Sequence, residues 1–272
     1  MIRCSGCQFE NRASASTCRR CGTRLRDHRL SDLGTSVFSR DGASPGNRAA
    51  RGMIGAAPPI RGRLISVLPN GQDDAIYWLE SDQLDLGRRE GDIRIDDPQL
   101  APRHLRLNVT LGGALVTPLD RRNGVYLRLR AVTELRDGDY ILLGRQVLRF
   151  ETVPEHERRV HAAIEDGVVL FGTPAAPAWG RLRQMTASGL GRDLYHLARS
   201  EVTLGREHAD LVFADDEFLS RRHAQLTILK GKPVLQDLNS SNGTYVRLHA
   251  PHVLVPGDMI RLGDQLLRFE LG

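Results

Sequence analysis

The chain has 272 residues, of which 40% are hydrophobic and 26% are charged, and its formal net charge is +5. This composition is typical of a soluble globular protein of about two domains. No apolar stretch of the sequence approaches the ~18 residues of a membrane-spanning helix, and the N-terminus has no apolar signal segment. We therefore expect a cytoplasmic protein without membrane contact.

All four cysteines lie near the N-terminus as two Cys-x2-Cys pairs, at Cys4, Cys7, Cys18 and Cys21. Each pair can form a tight turn that directs two thiolates at one ion, and this spacing is typical of tetrahedral zinc sites. Two disulfides or free thiols are the alternative, but disulfides are uncommon in a chain without an export signal. We predict a zinc ribbon over residues 1–27 that holds one structural Zn2+ ion, similar to the short ribbons of many bacterial proteins.

Residues 28–61 are rich in Gly, Ala, Ser, Pro and Arg, and we predict a flexible linker there. The positive charge is confined to this end of the chain. Residues 1–61 hold 11 Arg against 4 Asp and Glu, a surplus of +7, whereas residues 62–272 have a balance of −2. The surplus indicates either a solvated basic segment or a contact with nucleic acid, and the few aromatic residues available for base stacking favour the first.

An internal repeat accounts for the rest of the chain. Gly62-Arg63-Leu64 recurs 118 positions later as Gly180-Arg181-Leu182, and further matches follow at an offset of 119 after one inserted residue. The matches define two homologous units that should form separate domains. We predict these units over residues 62–152 and 180–272, joined by residues 153–179.

Both units are predicted to consist of β-strands. In the first, apolar and polar residues alternate over 105–111, the period of a strand with one buried face, and Gly112-Gly113 then marks a hairpin turn. In the second, the segment 223–229 turns at Lys230-Gly231 in the same way. Many short strands with frequent turns predict a β-sandwich for each unit. The connection between them is predicted to contain a short helix from Pro154 to Asp166.

Three polar clusters of the second unit lie at the ends of predicted strands, where loops on a rigid frame place binding residues. An arginine guanidinium matches the geometry of a phosphate, and serine and asparagine add neutral donors. The clusters therefore suit an anion with several acceptor oxygens, such as a phosphate. They are Gly205-Arg206, Ser220-Arg221-Arg222-His223 and Asn239-Ser240-Ser241-Asn242-Gly243-Thr244.

The order Gly-Arg, Ser-x-x-His and Asn-Gly-Thr resembles the pattern of the forkhead-associated (FHA) domain, and the second unit contains all of it. The two units together cover about 180 of 272 residues. The resemblance implies an all-β chain with two tandem FHA-type β-sandwiches after the zinc ribbon. It also implies that loops at one end of a sandwich bind phosphothreonine peptides.

The resemblance implies roles by position. Contacts with the phosphopeptide are implied for Arg206, Ser220, Arg221, Ser241 and Asn242. Roles in shaping the loops are implied for Gly205, His223 and Gly243. A hydrolase that uses Ser220, His223 and Asp237 is the alternative, but residues three apart on a strand point to opposite faces, and no Gly-x-Ser-x-Gly elbow is present. No catalytic residue is predicted.

The first unit departs from the pattern. Ala101 stands at the position of the serine, Pro102 at that of Arg221, and Val125 at that of Thr244. A hydrogen bond to a charged group contributes roughly 1.5–3 kcal/mol, so its loss weakens binding about ten-fold or more. We predict weak or lost phosphothreonine binding, with a site for another anion or a purely structural sandwich as alternatives. The degenerate site consists of Arg88, Arg122 and Asn123.

The sequence thus predicts a non-enzymatic, phosphothreonine-dependent adaptor in a bacterial Ser/Thr kinase pathway. Its expected partners are threonine-phosphorylated proteins, such as a kinase or a kinase substrate. One alternative is a zinc-ribbon protein that binds nucleic acid, with sandwiches used for phosphorylation-independent contacts. Another is capture of a phosphate on Thr35 of the linker by the protein's own Arg206 site.

Overall fold

A computed structural model of the chain describes residues 2–3, 10–11, 61–110, 112–158, 163–172 and 176–272. Near the N-terminus, β1 (Ile2–Arg3) pairs antiparallel with β2 (Glu10–Asn11). The four cysteines of the predicted zinc ribbon, and the predicted linker up to residue 60, lie outside the described residues. No helix in the described part of the chain is long and apolar enough to cross a membrane.

The first repeat is built from short strands, as its sequence predicts. They are β3 (Gly62–Val67), β4 (Asp73–Leu79), β5 (Gln83–Gly87), β6 (Ile93–Arg94), β7 (Leu105–Thr110), β8 (Gly113–Pro118), β9 (Tyr126–Arg128), β10 (Thr133–Glu134), β11 (Tyr140–Leu143) and β12 (Gln146–Thr152). The alternation along β7 places Leu105, Leu107 and Val109 in the core, because successive side chains of a strand point to opposite faces.

The connection between the repeats differs from the prediction of one helix that extends to Asp166. The helix α1 covers only Glu155–Arg158, and the connection then forms a hairpin of β13 (Ile164–Glu165) and β14 (Val168–Val169). Asp166 and Gly167 have φ values of 49° and 79°. Two consecutive residues in the left-handed region form the tight turn that joins antiparallel strands, and Asp-Gly is a preferred pair for it.

The second repeat follows with the same succession of strands. They are β15 (Gly180–Met185), β16 (Gly191–Leu197), β17 (Glu201–Gly205), β18 (Leu211–Val212), β19 (Ala224–Leu229), β20 (Lys232–Asp237), β21 (Thr244–Arg247), β22 (His252–Leu254), β23 (Met259–Leu262) and β24 (Gln265–Leu271). Lys230 and Gly231, both at positive φ, form the predicted turn between β19 and β20. The prediction of an all-β fold is confirmed.

The pairing of these strands crosses from one repeat to the other. Among the described residues, two five-stranded sheets have the orders β22-β8-β7-β5-β6 and β10-β20-β19-β17-β18. A ten-stranded sheet has the order β16-β15-β12-β11-β21-β9-β23-β24-β3-β4 and spans both halves of the structure. The C-terminal strands β22 to β24 of the second repeat therefore pair with the first repeat, and β10 to β12 of the first pair with the second.

The registers show that the exchange is symmetrical. Phe150 of β12 lies opposite Leu182 of β15, and Phe269 of β24 lies opposite Leu64 of β3. Phe150 and Phe269 are equivalent in the two repeats, and so are Leu64 and Leu182. Each C-terminal strand thus forms, with the other repeat, the pairing that it would form with its own repeat in a self-contained sandwich.

The two hydrophobic cores contain residues of both repeats. In sandwich A, which includes β5 and β7, Leu64 and Leu107 pack in one cluster with Leu267 and Phe269 of the second repeat. The second core lies in sandwich B, which includes β17 and β19. It joins side chains of the second repeat to side chains of the first, namely Leu182, Leu204 and Leu226 with Ile141, Leu148 and Phe150. The predicted units 62–152 and 180–272 therefore do not each close a sandwich of their own.

The centre of the ten-stranded sheet explains the exchange. β9 and β21 run antiparallel, with Leu127 opposite Val246 and Arg128 opposite Tyr245. The chain that leaves β9 at Arg128 consequently emerges beside the start of β21 and continues into sandwich B. By the same geometry, the chain that leaves β21 continues into sandwich A. A small third cluster around Tyr126, Leu142 and Tyr245 packs at this junction.

Candidate phosphate-binding site

His223 joins two of the three polar clusters from a fully buried position. Its Nδ1 accepts the main-chain N–H of Ser220 at 3.1 Å, and its Nε2 lies 3.1 Å from the carbonyl oxygen of Gly243. This pattern requires a neutral ring that carries its proton on Nε2, where it donates to Gly243. Burial lowers the pKa of His223 below its ordinary value, which stabilises the neutral form. The ring therefore holds the two loops together.

The Ser220 hydroxyl lies at the meeting point of the same two loops. Its Oγ accepts the main-chain N–H of Ser241 at 3.1 Å. A hydroxyl that accepts one hydrogen bond still has its own proton to donate. Ser220 is half-buried and Ser241 is exposed, so the hydroxyl lies at the edge of the solvent-accessible surface. Such a position suits a donor for an anion that approaches from outside.

Main-chain hydrogen bonds bring Arg206 to Ser220 and Arg221. The N–H of Arg206 donates to the carbonyl of Ser220 at 3.0 Å, and the N–H of Glu207 donates to that of Arg221 at 3.3 Å. A Cβ atom at Gly205 would overlap the main-chain oxygen of Arg221, so only glycine permits this approach. The structure therefore brings the loop of Arg206 beside the separate loop that carries both Ser220 and Arg221.

The side chains of Arg206 and Arg221 share one carboxylate. Arg206 Nη2 lies 3.1 Å from Glu207 Oε1, and Arg221 Nε lies 3.2 Å from Glu207 Oε2. The Arg221 side chain is 70% exposed and that of Arg206 is 33% exposed. Both side chains are thus at least partly accessible to a ligand, and both contact the same carboxylate.

The third cluster is held by Asp237, which sequence reasoning considered only as a member of a catalytic triad. Its Oδ1 accepts the hydroxyls of Ser240 and Thr244, each at 2.6 Å, and its Oδ2 accepts the N–H of Ser240 at 3.0 Å. The N–H of Gly243 then donates to the Ser240 hydroxyl at 2.9 Å. The positive φ of Gly243, 81°, completes the tight turn that presents Asn242.

Asn242 links this turn to the loop that carries Ser220. Its Nδ2 donates to the carbonyl of Phe218 at 2.8 Å, and its own carbonyl accepts the Tyr245 hydroxyl at 3.0 Å. The side-chain amide is therefore fixed with its donor end toward the protein. The opposite end of an asparagine amide is an oxygen, which accepts N–H groups such as those of a peptide main chain.

The loop before Ser220 is anchored on the other repeat, a feature that the sequence analysis did not predict. Asp216, which is 3% exposed, accepts the N–H of Arg145 at 2.7 Å, the Nε2 of Gln146 at 2.8 Å and the N–H of Phe218 at 3.1 Å. Arg145 also lies over the Phe218 ring, 4.5 Å from its centroid. The turn between β11 and β12 therefore positions the second repeat's site.

The first repeat keeps the shape of these loops. The Nδ1 of His104 accepts the N–H of Ala101 at 3.1 Å, and its Nε2 lies 2.8 Å from the carbonyl oxygen of Gly124. Asn123 Nδ2 donates to the carbonyl of Gln99 at 2.6 Å, as Asn242 does to Phe218. Both repeats therefore share this loop frame, by which we mean the hydrogen bonds of a buried histidine and an asparagine that hold the loops together.

The donors of the first site differ from those of the second. Ala101 is buried and offers no hydroxyl to a ligand. Arg88 Nε lies 3.3 Å from Asp96 Oδ1, and Arg122 Nε donates to Asp120 Oδ1 at 2.8 Å. The two arginines of the degenerate site thus have separate carboxylate partners.

Comparisons with known proteins identify the family of the two repeats. The model of the FHA domain family matches residues 84–144 and 202–263. A protein of Corynebacterium diphtheriae named "Oxoglutarate dehydrogenase inhibitor" is 34% identical over 128 residues, which cover 46% of this chain and 87% of the relative. A protein of the same name from Corynebacterium efficiens is 38% identical over 78 residues, 28% of this chain. This chain spans about half the length of that relative, 55%.

A solved FHA domain from a structural and functional analysis of phosphothreonine-dependent FHA domain interactions is also similar. It is 32% identical, the match covers 32% of this chain and 93% of that domain, and the TM-score is 0.20. The family match falls on both repeats and includes Arg206, Ser220 and Asn242. The chain therefore belongs to the FHA-domain family, with two copies of the domain that exchange their C-terminal strands.

Proposed function

We propose that the site of the second repeat binds phosphothreonine on a partner protein, and that the chain is a non-enzymatic adaptor. The observation that carries the proposal is that main-chain hydrogen bonds join the loops of Arg206 and Ser220, and that the guanidinium groups of Arg206 and Arg221 contact one partly exposed carboxylate. A phosphate carries about −1.5 to −2 charge and several acceptor oxygens, which such a set of donors satisfies.

Each predicted residue has a part in this binding mode. Arg206 and Arg221 supply charge to the phosphate, and Ser220 donates its hydroxyl proton. Asn242 accepts from the peptide main chain through its side-chain oxygen, since its nitrogen is engaged by Phe218. Ser241, whose N–H is bonded to Ser220, is an exposed neighbour of the phosphate.

The same donors do not support hydrolysis. In a Ser–His–Asp triad the histidine accepts the proton of the serine hydroxyl. The Nδ1 of His223 accepts the main-chain N–H of Ser220, and its Nε2 bonds Gly243. We therefore assign His223, Gly205 and Gly243 to the loop frame.

For the first repeat we propose weak or lost phosphothreonine binding. The absence of a hydroxyl at Ala101 removes one donor, and the pairs of Arg88 with Asp96 and of Arg122 with Asp120 engage the remaining cations. The loop frame around Asn123 is kept, so this repeat still supplies the strands and the turn that sandwich B requires.

We further propose that the phosphorylated partner is a Ser/Thr kinase or a kinase substrate, and that the chain acts in the cytoplasm of a bacterium. The corynebacterial relatives are named inhibitors of an enzyme, which supports a regulatory role that depends on binding. We also propose that Cys4, Cys7, Cys18 and Cys21 hold one structural Zn2+ ion. One zinc per purified chain, lost in Cys4→Ser, is the expected result of elemental analysis.

Titration of the full chain with a degenerate phosphothreonine peptide pool tests the proposed function. The full chain is required because sandwich B includes strands of both repeats. We expect binding of the phosphorylated pool alone, lost in Arg206→Ala and kept in the matched variant Arg222→Ala, which removes a neighbouring exposed arginine. Equal binding by Arg206→Ala and the unchanged protein would show that the site is elsewhere.

A further inference from the structure

Glu207 occupies the position between the two arginines of the proposed phosphate site. Each of its carboxylate oxygens contacts one guanidinium, at 3.1 Å for Arg206 and 3.2 Å for Arg221. A carboxylate that bridges two cations satisfies the same charges that a phosphate would satisfy. The ligand therefore meets a site whose cations already have an anionic partner.

The fold does not force an acidic residue at this position. The equivalent residue of the first repeat is Arg89, and its N–H donates to the carbonyl of Pro102 at 3.3 Å. The N–H of Glu207 donates to the carbonyl of Arg221 at the same distance. This main-chain bond is thus present in both repeats, whereas an acid at this position occurs only in the repeat that has the second arginine.

We propose that Glu207 is an internal competing anion that sets the affinity and the selectivity of the phosphothreonine site. This inference rests on the proposed function of the second repeat. In the free protein Glu207 pairs with both arginines, and on binding the phosphate takes its place. The Glu207 side chain is 43% exposed, so the released carboxylate can turn into water.

The displacement is feasible because ion pairs between exposed side chains are weak. A phosphate has more charge and more acceptor oxygens than a carboxylate, so it makes stronger hydrogen bonds with the same arginines. An uncharged threonine offers nothing that can replace Glu207. The internal anion therefore keeps the site closed to unphosphorylated segments and lowers the affinity for phosphorylated ones.

The test compares Glu207→Gln with the unchanged full chain in titrations with the degenerate phosphothreonine pool. The amide keeps the shape of the side chain but removes its charge. We expect the Kd of the phosphorylated pool to fall by about three- to ten-fold, as the loss of two exposed ion pairs implies. We also expect Glu207→Gln to bind the unphosphorylated pool more strongly than the unchanged chain does.

Glu201→Gln is the matched control. Glu201 is exposed and begins β17, whose other end leads to Arg206 and Glu207. Glu201→Gln removes the same formal charge as Glu207→Gln, but it lies several residues of extended strand away from the site, where salt screens its effect. We expect its Kd to equal that of the unchanged chain, so a change specific to Glu207 reports the local pairing rather than the net charge.

The outcomes separate this inference from the proposed function. Tighter binding by Glu207→Gln, with Glu201→Gln unchanged, supports the competing anion. An unchanged or higher Kd for Glu207→Gln, while the unchanged chain binds the phosphorylated pool, overturns it and leaves the proposed function intact. Failure of both the unchanged chain and Glu207→Gln to bind overturns the proposed function together with this inference.

Discussion

Replacement of Phe150 by alanine should destabilise the sandwich formed mainly by the other repeat. Phe150 lies in β12 of the first repeat, but its fully buried ring packs in the core of sandwich B with Leu182 and Leu204. Removal of a buried phenylalanine ring costs about 3–5 kcal/mol in lost burial and cavity formation. Because a domain is stable by only about 5–15 kcal/mol, this loss is a large fraction of the total.

The assay is native-state hydrogen exchange, read peptide by peptide at low denaturant concentration. We expect the protection of the amides in β17, β19 and β20 to fall by about two to three and a half powers of ten, because 1.4 kcal/mol corresponds to a factor of ten. The strands β5, β7 and β8, which belong to the same repeat as Phe150, should change much less. Phe269→Ala is the matched control, and it should give the converse pattern.

A contrary pattern would refute the exchanged pairing. If Phe150→Ala exposed β5, β7 and β8 and left β17, β19 and β20 protected, then β12 would pack with its own repeat. If the alanine variant does not fold, Phe150→Leu removes less volume from the same core and gives the same comparison on a smaller scale.

Three further predictions follow from the same contacts. Asp216→Asn should destabilise the chain by about 1–3 kcal/mol in denaturant unfolding and weaken phosphopeptide binding, because a buried acceptor of three hydrogen bonds loses its charge. Asp215→Asn, at the exposed neighbouring position, should have neither effect. Equal effects of the two changes would contradict the role of Asp216 in anchoring the loop before Ser220. The ring of His223 should titrate below the ordinary histidine pKa of about 6.5 in NMR, since burial lowers its pKa. The neutral ring then makes its full contribution to folding stability above a pH of about 6.5, and this contribution decreases as the pH falls from there toward the pKa of the folded state. A measured pKa above the ordinary histidine value would contradict the neutral ring. Cleavage at a protease site inserted after Gly172 should leave two fragments that co-elute under native conditions, whereas separation of the fragments would mean that each repeat closes on itself.

Local signals in the sequence were sufficient for most of the strands. The alternation over 105–110 and the turn at Lys230-Gly231 specify a hairpin from a few neighbouring residues. The helix prediction in the connection failed because the Asp166-Gly167 pair is itself a local signal, for a tight turn, and it was interpreted only as a helix end. Turn chemistry at that point should have outweighed the weak helical pattern.

The strand exchange could not be predicted from local signals. β12 has two homologous strands on which it can dock, β3 and β15, and Leu64 and Leu182 occupy equivalent positions in them. The sequence of β12 fits both. The choice is made by the antiparallel pairing of β9 with β21 at the centre of the sheet, a contact between residues that are more than a hundred positions apart.

The binding site also has a part that local sequence signals indicate and a part that they do not. Its motif residues lie close together in sequence within each loop, so their types and spacing point to phosphate chemistry. The hydrogen bonds that Asp216 accepts come from a turn of the other repeat, about 70 positions away, and no spacing rule indicates them. The hydrogen bond between Thr244 and Asp237 has only a weak signal in the sequence. Both residues are polar in the second repeat, and both are replaced by apolar residues in the first, namely Val125 and Pro118.

The affinity of Ser220→Ala for a phosphothreonine peptide selected from the pool is the most direct measurement of the proposed binding mode. Isothermal titration of the full chain should show binding about ten-fold or more weaker than that of the unchanged protein, because a hydrogen bond to a charged group contributes roughly 1.5–3 kcal/mol. Ser188→Ala, which removes an exposed hydroxyl that bonds Thr186 within the turn between β15 and β16, should bind as the unchanged chain does. An unchanged Kd for Ser220→Ala would contradict the assignment of this hydroxyl to the phosphate.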